Sequence, residues 1–270
     1  MRRIAVIMSL YKNDELRYVQ PAIESILKQT YTEFTFYTMC DGPVRQDVRN
    51  YIMGLDDTRL CLYERERNYG LAHSLNELLS MILHEGTYEY IARMNADDIS
   101  LPERFEKQIA FLESNEDVNC VGCWAIEIDS KGEEYYRKRM PITHEECLGF
   151  FKKRDCMIHP TVIFRRSFFE KAGLYAEDTY FGEDTMMWAQ GFKNGCRFAN
   201  LPEYLFKFRL DVNFFQRRRG WKHSKAIFKL RLRVNKMLHF GLKANIYAVL
   251  YAGVKIMPTK VLDIFYRTMR

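Results

Sequence analysis

The stretch R-I-A-V-I-M-S-L, residues 3–10, is apolar at six of its eight positions. Such a run is typical of a strand that is buried on both faces of a sheet. A helical pattern follows, in which Val19, Ile23 and Ile26 recur at helical spacing, and residues 34–39 form a second β-branched and aromatic run. The order strand, helix, strand within forty residues predicts a parallel βαβ unit.

The same alternation continues along the chain. Strands are predicted over residues 59–64, 88–94, 118–128, 135–139 and 157–164, and helices over 71–83, 103–114, 144–151, 166–171 and 185–192. We therefore predict an α/β fold with a mainly parallel central sheet flanked by helices, which forms one domain over residues 1–210. Residues 211–270 are predicted to be a basic, amphipathic helical extension.

The composition, with 47% hydrophobic and 28% charged residues in 270, is that of a globular protein and excludes disordered and coiled-coil classes. Seven cysteines are scattered along the chain, and the N-terminus lacks the apolar core of a signal peptide. Both features favour a reducing, cytoplasmic compartment. Cys120 and Cys123 have the spacing of metal ligands, but no second pair follows at zinc-ribbon distance, so a zinc site is disfavoured.

The charge is distributed unevenly between the two parts of the chain. Residues 217–270 contain 14 Lys and Arg and one acid, Asp263, a net charge of +13. Residues 1–216 contain 27 Lys and Arg and 34 Asp and Glu, a net charge of −7. A segment this basic favours an anionic partner, such as an anionic bilayer, a sugar-phosphate polymer or nucleic acid.

Polar side chains follow three of the predicted strands: Ser9 after the first, Asp41 after the second, and Asp97 with Asp98 after the strand over residues 88–94. In parallel α/β sheets, ligands bind at the carboxyl ends of the strands. Paired carboxylates at such an edge suit a hard divalent cation, which completes its coordination with substrate phosphates. The alternative is a helix N-terminus with a capping box from Ser100 to Glu103.

Six short motifs occur in order along the chain and together resemble glycosyltransferase family 2. They are S-L-Y-K-N-D (9–14), C-D-G-P (40–43), N-Y-G-L (68–71), N-A-D-D (95–98), H-P-T (159–161) and G-E-D (182–184). The resemblance extends from residue 4 to about residue 209. It implies a GT-A fold, inverting transfer of a sugar from a nucleotide-diphosphate donor, and dependence on Mg²⁺ or Mn²⁺.

The resemblance also implies roles for individual residues on the donor side. Asp41 matches the acid that hydrogen-bonds the base of the donor, usually uracil, although the family's Asp-Asp-Gly is Cys-Asp-Gly here. Ser9 and Tyr11 match the lining of the nucleoside pocket, and Asn68 matches a donor contact. His159 matches a position near the reacting sugar and diphosphate.

The acidic motifs carry the metal and the chemistry in the family. Asp98 matches the position most often bonded to the metal, and Asp97 matches a position near the ribose and the metal. Many members have Asp where this chain has Asn95, which cannot supply that charge. Asp184 matches the general base that inversion requires, with Glu183 as the second candidate. Either could instead cap the helix predicted over residues 185–192.

The basic extension contains Gln216, Arg217, Arg218, Arg219 and Trp221, which are similar to the Q-x-x-R-W element of processive members except for one inserted residue. The three arginines are candidate contacts for a diphosphate or an acceptor phosphate, or else a solvated helix face.

From residue 221 onward, bases alternate with apolar residues, as in a helix that lies in a membrane interface. Aromatic residues and Pro258 near the end of the chain reinforce this interpretation, and the apolar run 246–254 is too short to span a bilayer. The alternative is that these helices pack on the catalytic domain. No nucleic-acid recognition motif accompanies the charge.

These observations predict an enzyme that adds a hexose-type sugar to a glycan or lipid-linked acceptor in cell-envelope polysaccharide synthesis. We expect it to act in the cytoplasm, peripherally on the inner face of the cell membrane. A sugar-nucleotide nucleotidyltransferase is the enzymatic alternative, but it would need a glycine-rich loop after the first strand, and residues 9–14 contain no glycine. A nonenzymatic nucleotide-sugar or membrane-binding module is the other alternative.

Overall fold

The computed structural model describes residues 3–210 and 220–257. The strands are β1 (Ile4–Leu10), β2 (Phe34–Cys40), β3 (Leu60–Glu64), β4 (Tyr90–Arg93), β5 (Ile99–Ser100), β6 (Val118–Ile128), β7 (Glu134–Lys138), β8 (Ile163–Arg165) and β9 (Arg197–Arg209). The helices are α1 (Leu16–Leu27), α2 (Gln46–Met53), α3 (Leu71–Glu85), α4 (Arg104–Ser114), α5 (His144–Phe151), α6 (Arg166–Ala172), α7 (Glu183–Lys193), α8 (Trp221–Met237) and α9 (Leu242–Val254).

The strands form one mixed sheet in the order β3-β2-β1-β4-β8-β6-β9-β5, with β7 paired to β6. The first four strands are parallel, and β6 and β9 are parallel to each other. Strand β8 joins these two halves because it runs antiparallel to both β4 and β6. The predicted α/β fold with a mainly parallel sheet is confirmed.

The sheet separates two apolar cores. Along β1, Ile4, Val6 and Met8 face the core that contains α1, α2 and α4, whereas Ala5 and Ile7 face the core that contains α3, α6 and α7. This alternation explains why the opening run is apolar at successive positions. Cys120 and Cys123 likewise lie on opposite sides of the sheet, since Cys120 belongs to the second core and Cys123 to the first.

The alternative interpretation of residues 100–103 as a capping box is wrong. Ser100 lies in β5, and its Oγ accepts a hydrogen bond from Gln29 Nε2 at 3.0 Å. Helix α4 begins at Arg104, and Glu103 at its N-cap makes no side-chain cap. Gln29, which follows the end of α1, supplies a cap for α4 instead: its Oε1 accepts the backbone N–H of Phe105 at 3.1 Å.

The predicted strand over residues 157–164 is only partly correct. A 3₁₀ turn occupies His159–Thr161, and the strand β8 begins at Ile163. Pro160 lacks the N–H that a central strand would donate, so the chain turns before it enters the sheet. Two strands, β5 and β9, and helix α2 are absent from the sequence prediction.

The helices after residue 220 lie against the catalytic part of the chain. One side of α8 is buried and includes Ile227, Leu230 and Val234. Helix α9 packs antiparallel to α8, with hydrogen bonds from Asn235 Nδ2 to Asn245 Oδ1 at 2.8 Å and from Ser224 Oγ to the Ala252 carbonyl at 2.8 Å. The alternative to a membrane role was that these helices pack on the rest of the protein. Such packing explains the buried side of each helix, but not the exposed side.

Among the helices in the described ranges, none combines the length and the apolar character needed to cross a bilayer. The expected roles of Gln216 and of the three arginines after it lie outside the described residues, as do Pro258, Phe265 and Tyr266, whereas the other two aromatic residues of that prediction, Tyr247 and Tyr251, lie in α9.

Candidate active site

Asp41 connects the end of β2 to the loop before α3. Its side chain is 3% exposed, and its two oxygens accept the backbone N–H groups of Tyr69 at 2.8 Å and Gly70 at 2.9 Å. Arg65 lies 3.2 Å from the same carboxylate, and Asn68 Nδ2 donates to the Asp41 carbonyl at 3.0 Å. Asp41 therefore holds the N-Y-G-L loop against the sheet edge where a nucleoside is expected.

Replacing Asp41 with Asn should lower the free energy of unfolding by about 1–3 kcal/mol. The amide can accept only one of the two backbone N–H groups, so the other is left facing an NH₂ group. Thermal unfolding measures the effect. The matched control is Asp47→Asn, because Asp47 pairs with Arg45 at the surface and its loss should change little. Equal melting temperatures for the two variants would contradict this role of Asp41.

The two carboxylates after β4 have different environments. Asp98 is 0% exposed; its Oδ1 accepts the backbone N–H of Arg209 at 2.7 Å, and its Oδ2 accepts Asn95 Nδ2 at 2.9 Å. Burial and the charge of Asp97 raise the pKa of Asp98 well above its ordinary value, and the two hydrogen bonds oppose that rise. Asp97 is half-buried. The side chain of Asp98 is thus directed into the protein, and Asp97 is the more accessible of the pair.

Asn95 bridges a cation and an anion. Its Oδ1 accepts a hydrogen bond from Arg93 Nη2 at 2.9 Å, while its Nδ2 donates to Asp98. An amide can do both because it carries an acceptor and a donor, whereas an aspartate at this position would oppose Asp98 with a second charge. Asn95 therefore suits a position between a buried guanidinium and a buried carboxylate.

Arg209, at the end of β9, holds the turn that contains the two carboxylates. Besides its backbone bond to Asp98, its Nε donates to the Asp97 carbonyl at 2.8 Å and its Nη1 donates to the Asp129 carbonyl at 2.9 Å. The guanidinium also lies over the ring of Tyr18, 4.7 Å from its centroid. A strand more than 100 residues away along the chain thus fixes the acidic motif.

Arg93 brings the acids of two elements together. Its side chain is 1% exposed, and in the described part of the chain its Nε and Nη1 have no hydrogen-bond partner. Burial lowers the pKa of Arg93, whereas the charges of Asp98, Glu183 and Asp97 raise it. The geometry agrees with these charges: the backbone N–H of Arg93 donates to the Val162 carbonyl at 3.0 Å, and the ring of nearby His159 meets Trp188 of α7.

Glu183 and Asp184 lie in the first turn of α7, which begins two residues before the helix predicted over residues 185–192. Asp184 Oδ1 accepts the backbone N–H of Thr185 at 2.7 Å. The Thr185 hydroxyl donates to Asp155 at 2.9 Å, and Asp155 pairs with Arg231 of α8, also at 2.9 Å. Helix α8 therefore supports the turn that carries the candidate base.

His159 lies beneath the same region. Its Nε2 is 2.8 Å from the hydroxyl of Tyr175, and its ring meets the buried Trp188 edge to face. Burial and the charge of Arg93 hold the pKa of His159 well below its ordinary value, so the ring is neutral near pH 7. A contact between His159 and a donor is accordingly a hydrogen bond and not an ion pair.

Tyr175 is in turn fixed by Asn76 of α3, which the family pattern left without an assigned role. Asn76 Oδ1 accepts the backbone N–H of Tyr175 at 2.9 Å, and its Nδ2 donates to the Tyr175 carbonyl at 2.9 Å and to Glu177 at 2.8 Å. The loop that leads to Glu183 is thus attached to α3.

Ser9 and Tyr11 are half-buried at the end of β1, where Tyr11 donates its backbone N–H to Asp14 at 2.8 Å. Ser9 pairs in register with Met39 of β2. Both residues therefore lie at the same edge of the sheet as Asp41.

The donor set suits a cation that arrives with a diphosphate. Within residues 3–210 and 220–257, no cluster of three or more His, Cys, Asp or Glu side chains is arranged to hold a metal ion. Mg²⁺ is commonly bound by one or two carboxylates together with substrate phosphates and water, and Mn²⁺ suits the same oxygen ligands. A site built on Asp97 fits that pattern, because the protein supplies one accessible carboxylate at the sheet edge.

Four residues that organise this site were not among the predicted site residues: Arg93, Asn95 as a bridge, Asp155 and Arg209. Only Arg93 carries a signal in the sequence, because an arginine that ends a buried apolar strand is rarely buried without an acidic partner. Asn95 acts on its own neighbours in the motif, whereas Asp155 and Arg209 act through residues that are distant along the chain.

Comparisons with known proteins agree with this geometry. The family described as Glycosyl transferase family 2 matches residues 5–173. The amylovoran biosynthesis glycosyltransferase AmsE of Erwinia amylovora is 31% identical over 270 aligned residues. The alignment covers 98% of this chain and 98% of that protein. The UDP-Gal:alpha-D-GlcNAc-diphosphoundecaprenol beta-1,3-galactosyltransferase of Escherichia coli is 26% identical, with 98% of this chain and 95% of that protein covered.

The mannosyltransferase PcManGT from Pyrobaculum calidifontis, solved with GDP-Man and Mn²⁺, has a TM-score of 0.64 at 15% identity. The match covers 100% of this chain and 81% of that protein. At this identity the likeness shows the fold alone, and it confirms the predicted GT-A architecture. Sheet, motif order and family match agree, and the chain belongs to glycosyltransferase family 2.

Proposed function

We propose that this glycosyltransferase moves one sugar, with inversion, from a nucleotide-diphosphate donor, of the uridine type, to a glycan or lipid-linked acceptor in cell-envelope polysaccharide synthesis. The observation that carries the proposal is the placement of the acidic motifs beside one another. At the end of β4, Arg93 Nη2 donates to Asn95 and Asn95 donates to Asp98, and the ring of His159 next to this strand meets Trp188 of α7, the helix that begins with Glu183 and Asp184. A donor diphosphate and a base are needed at the same place for inverting transfer.

We assign the donor to the edge formed by the ends of β1, β2 and β4. Asp41 and the loop that it holds would face the base, and Ser9 and Tyr11 would line the nucleoside pocket. Asn68 remains a candidate donor contact, since it is exposed beside Asp41. His159 would hydrogen-bond the sugar or the diphosphate as a neutral imidazole.

We assign the cation to Asp97, with Asp98 as the buried support that orients the turn. This reverses the preference that the family pattern suggests, because both oxygens of Asp98 already accept hydrogen bonds. When bound, Mg²⁺ or Mn²⁺ would neutralise the charge that develops on the leaving diphosphate. The residues of this chain hold the turn, exclude water from the Asp98 side and orient the donor.

We assign the general base to Asp184, which would accept the proton of the acceptor hydroxyl as that oxygen attacks the anomeric carbon. Helix α7 begins one residue earlier, and the hydrogen bonds of Thr185 and Asp155 fix its first turn. A base must be held in place to act on a bound hydroxyl, so this anchoring supports the assignment.

The acceptor class is supported by the Escherichia coli relative, whose name specifies a UDP-Gal donor and a diphosphoundecaprenol-linked acceptor. The Erwinia amylovora relative is described as acting in amylovoran biosynthesis. Because a polyprenol-linked acceptor resides in a membrane, we place the enzyme on the inner face of the cell membrane.

A panel of nucleotide sugars tests the proposal. We expect slow hydrolysis of at least one UDP-sugar with Mn²⁺, loss of turnover in EDTA, and recovery when Mn²⁺ is added back. Nuclear magnetic resonance of the products identifies the bond that breaks. Release of UDP supports sugar transfer, whereas release of a sugar 1-phosphate, with UMP in water or with UTP when pyrophosphate is added, would identify a nucleotidyltransferase. Binding of a donor without turnover under any metal condition would favour a binding module and would overturn the proposal.

A further inference from the structure

The two C-terminal helices expose surfaces of opposite chemical character next to each other. On α8, a basic stripe is formed by residues that recur every three or four positions and are exposed: Lys222, Lys225, Lys229, Arg233 and Lys236. On α9, an apolar stripe of exposed residues recurs at the same spacing: Leu242, Ile246, Val249 and Leu250. The opposite side of each helix is buried, and within the basic stripe only Arg233, which pairs with Asp178, and Lys222, which lies over the ring of Tyr180, contact other described parts of the chain.

The apolar stripe is a large exposed surface. Its four side chains are between 52% and 75% exposed, whereas the buried positions of α9 are the small residues Ala244, Ala248 and Ala252. In an ordinary packing helix, the large apolar residues face the protein. Helix α9 does the reverse, which indicates that its outer side meets an apolar environment.

The two stripes run side by side. Helices α8 and α9 are antiparallel along their whole length, since the backbone N–H of Gly220 also donates to the Lys255 carbonyl at 2.9 Å. That contact places Trp221, which is 76% exposed, beside the end of α9. An exposed Trp next to apolar and basic residues is typical of a membrane interface.

We propose that the basic stripe and the apolar stripe together bind the surface of an anionic phospholipid bilayer. Charge complementarity selects this occupant: residues 217–270 carry a net charge of +13, and α9 itself contains no acidic residue. The apolar stripe enters the boundary between headgroups and acyl chains, and the basic stripe contacts anionic headgroups. A second copy of the chain is disfavoured, because pairing through α9 would bring two strongly basic segments together.

Sedimentation of the full chain with vesicles tests this proposal, which does not depend on the glycosyltransferase assignment. We expect at least about tenfold stronger binding to phosphatidylcholine vesicles that contain phosphatidylglycerol than to pure phosphatidylcholine. The tryptophan fluorescence should shift to shorter wavelength on binding, because the exposed Trp221 would leave water. The shift can be assigned to Trp221, since Trp188 is buried and Trp124 is half-buried. Equal binding to both vesicles, or binding to neither, overturns the proposal.

Two sets of variants separate the stripes. Ile246→Glu with Leu250→Glu should weaken binding to anionic vesicles at least about tenfold. The triple variant Lys225→Gln, Lys229→Gln and Lys236→Gln should bind anionic vesicles about 100-fold more weakly, because each lost base weakens binding about fivefold. It should also lose the preference for vesicles that contain phosphatidylglycerol. Vesicle binding equal to that of the unmodified chain in either set overturns the proposal.

Controls exclude folding defects and self-association. Met53→Glu changes an exposed apolar residue on α2 and should leave vesicle binding as it is. Thermal unfolding of each variant shows that the fold persists. Light scattering measures the mass of the protein in solution. If the unmodified chain were a dimer that did not bind vesicles, and the α9 variants were monomers, the proposal would be overturned. The Asp184→Asn variant should bind vesicles normally, so a failure of vesicle binding is distinguishable from a failure of catalysis.

Discussion

Replacing Asp184 with Asn should lower the rate of sugar transfer by about 10³-fold while leaving the affinity for the nucleotide sugar unchanged. An amide at this position keeps the size of the side chain and still accepts the Thr185 N–H at its oxygen. It cannot accept a proton from the acceptor hydroxyl near neutral pH. Steady-state transfer with the donor found in the panel, together with a donor titration by calorimetry, separates the two quantities.

Glu183→Gln is the matched control for this prediction. Glu183 is the neighbouring acid of the same helical turn and contributes to the charge around Arg93, so we expect a smaller loss of about tenfold. Transfer by Asp184→Asn at the unmodified rate, or a larger loss in Glu183→Gln than in Asp184→Asn, would show that the base is assigned to the wrong residue.

Local patterns were sufficient to predict the parallel half of the fold. Strand β1 is almost continuously apolar and β2 is rich in aromatic and β-branched residues because both of their faces are buried, and helix α1 between them shows regular apolar spacing. Strand β9 has no such pattern. It contains Asn200, Pro202 and Glu203, and its pairing with β6 shifts register between Leu201 and Tyr204, where Pro202 and Glu203 have no partner. Only the neighbouring strand makes that segment a strand.

The sequence predicts where the candidate site residues lie relative to the strands, but not how their side chains are oriented. The motif pattern located both carboxylates after β4, yet it favoured Asp98 for the cation. The inward direction of Asp98 depends on the backbone N–H of Arg209, which reaches it only when β9 has joined the sheet. Such a contact leaves no trace in the spacing of the motif.

The basic extension shows a similar limit of sequence patterns. An amphipathic pattern states that one side of a helix is apolar, but not what covers it. In α8 the apolar side covers the catalytic part of the chain through Ile227, Leu230 and Val234. In α9 the large apolar residues face outward instead. Because the apolar residues of α8 and α9 recur at the same helical spacing, the sequence pattern does not distinguish the two cases.

Replacing Asp97 and Asp98 in turn should produce two different defects. With Asp97→Asn, we expect the affinity for Mn²⁺ in the presence of UDP to fall by about 100-fold and transfer to fall by a similar factor, with a smaller loss of thermal stability than in Asp98→Asn. The change removes one accessible carboxylate, and its main-chain carbonyl still accepts Arg209 Nε. Electron paramagnetic resonance of Mn²⁺ measures the affinity directly, without turnover.

With Asp98→Asn, we expect the free energy of unfolding to fall by about 1–3 kcal/mol. The amide oxygen can accept the Arg209 N–H, but its NH₂ group then faces the NH₂ group of Asn95. Rotating the Asn95 amide does not help, because its carbonyl is needed by Arg93. If Asp98→Asn instead lost Mn²⁺ affinity at unchanged stability, and Asp97→Asn kept it, Asp98 would be the metal ligand and would have to turn outward when the donor binds.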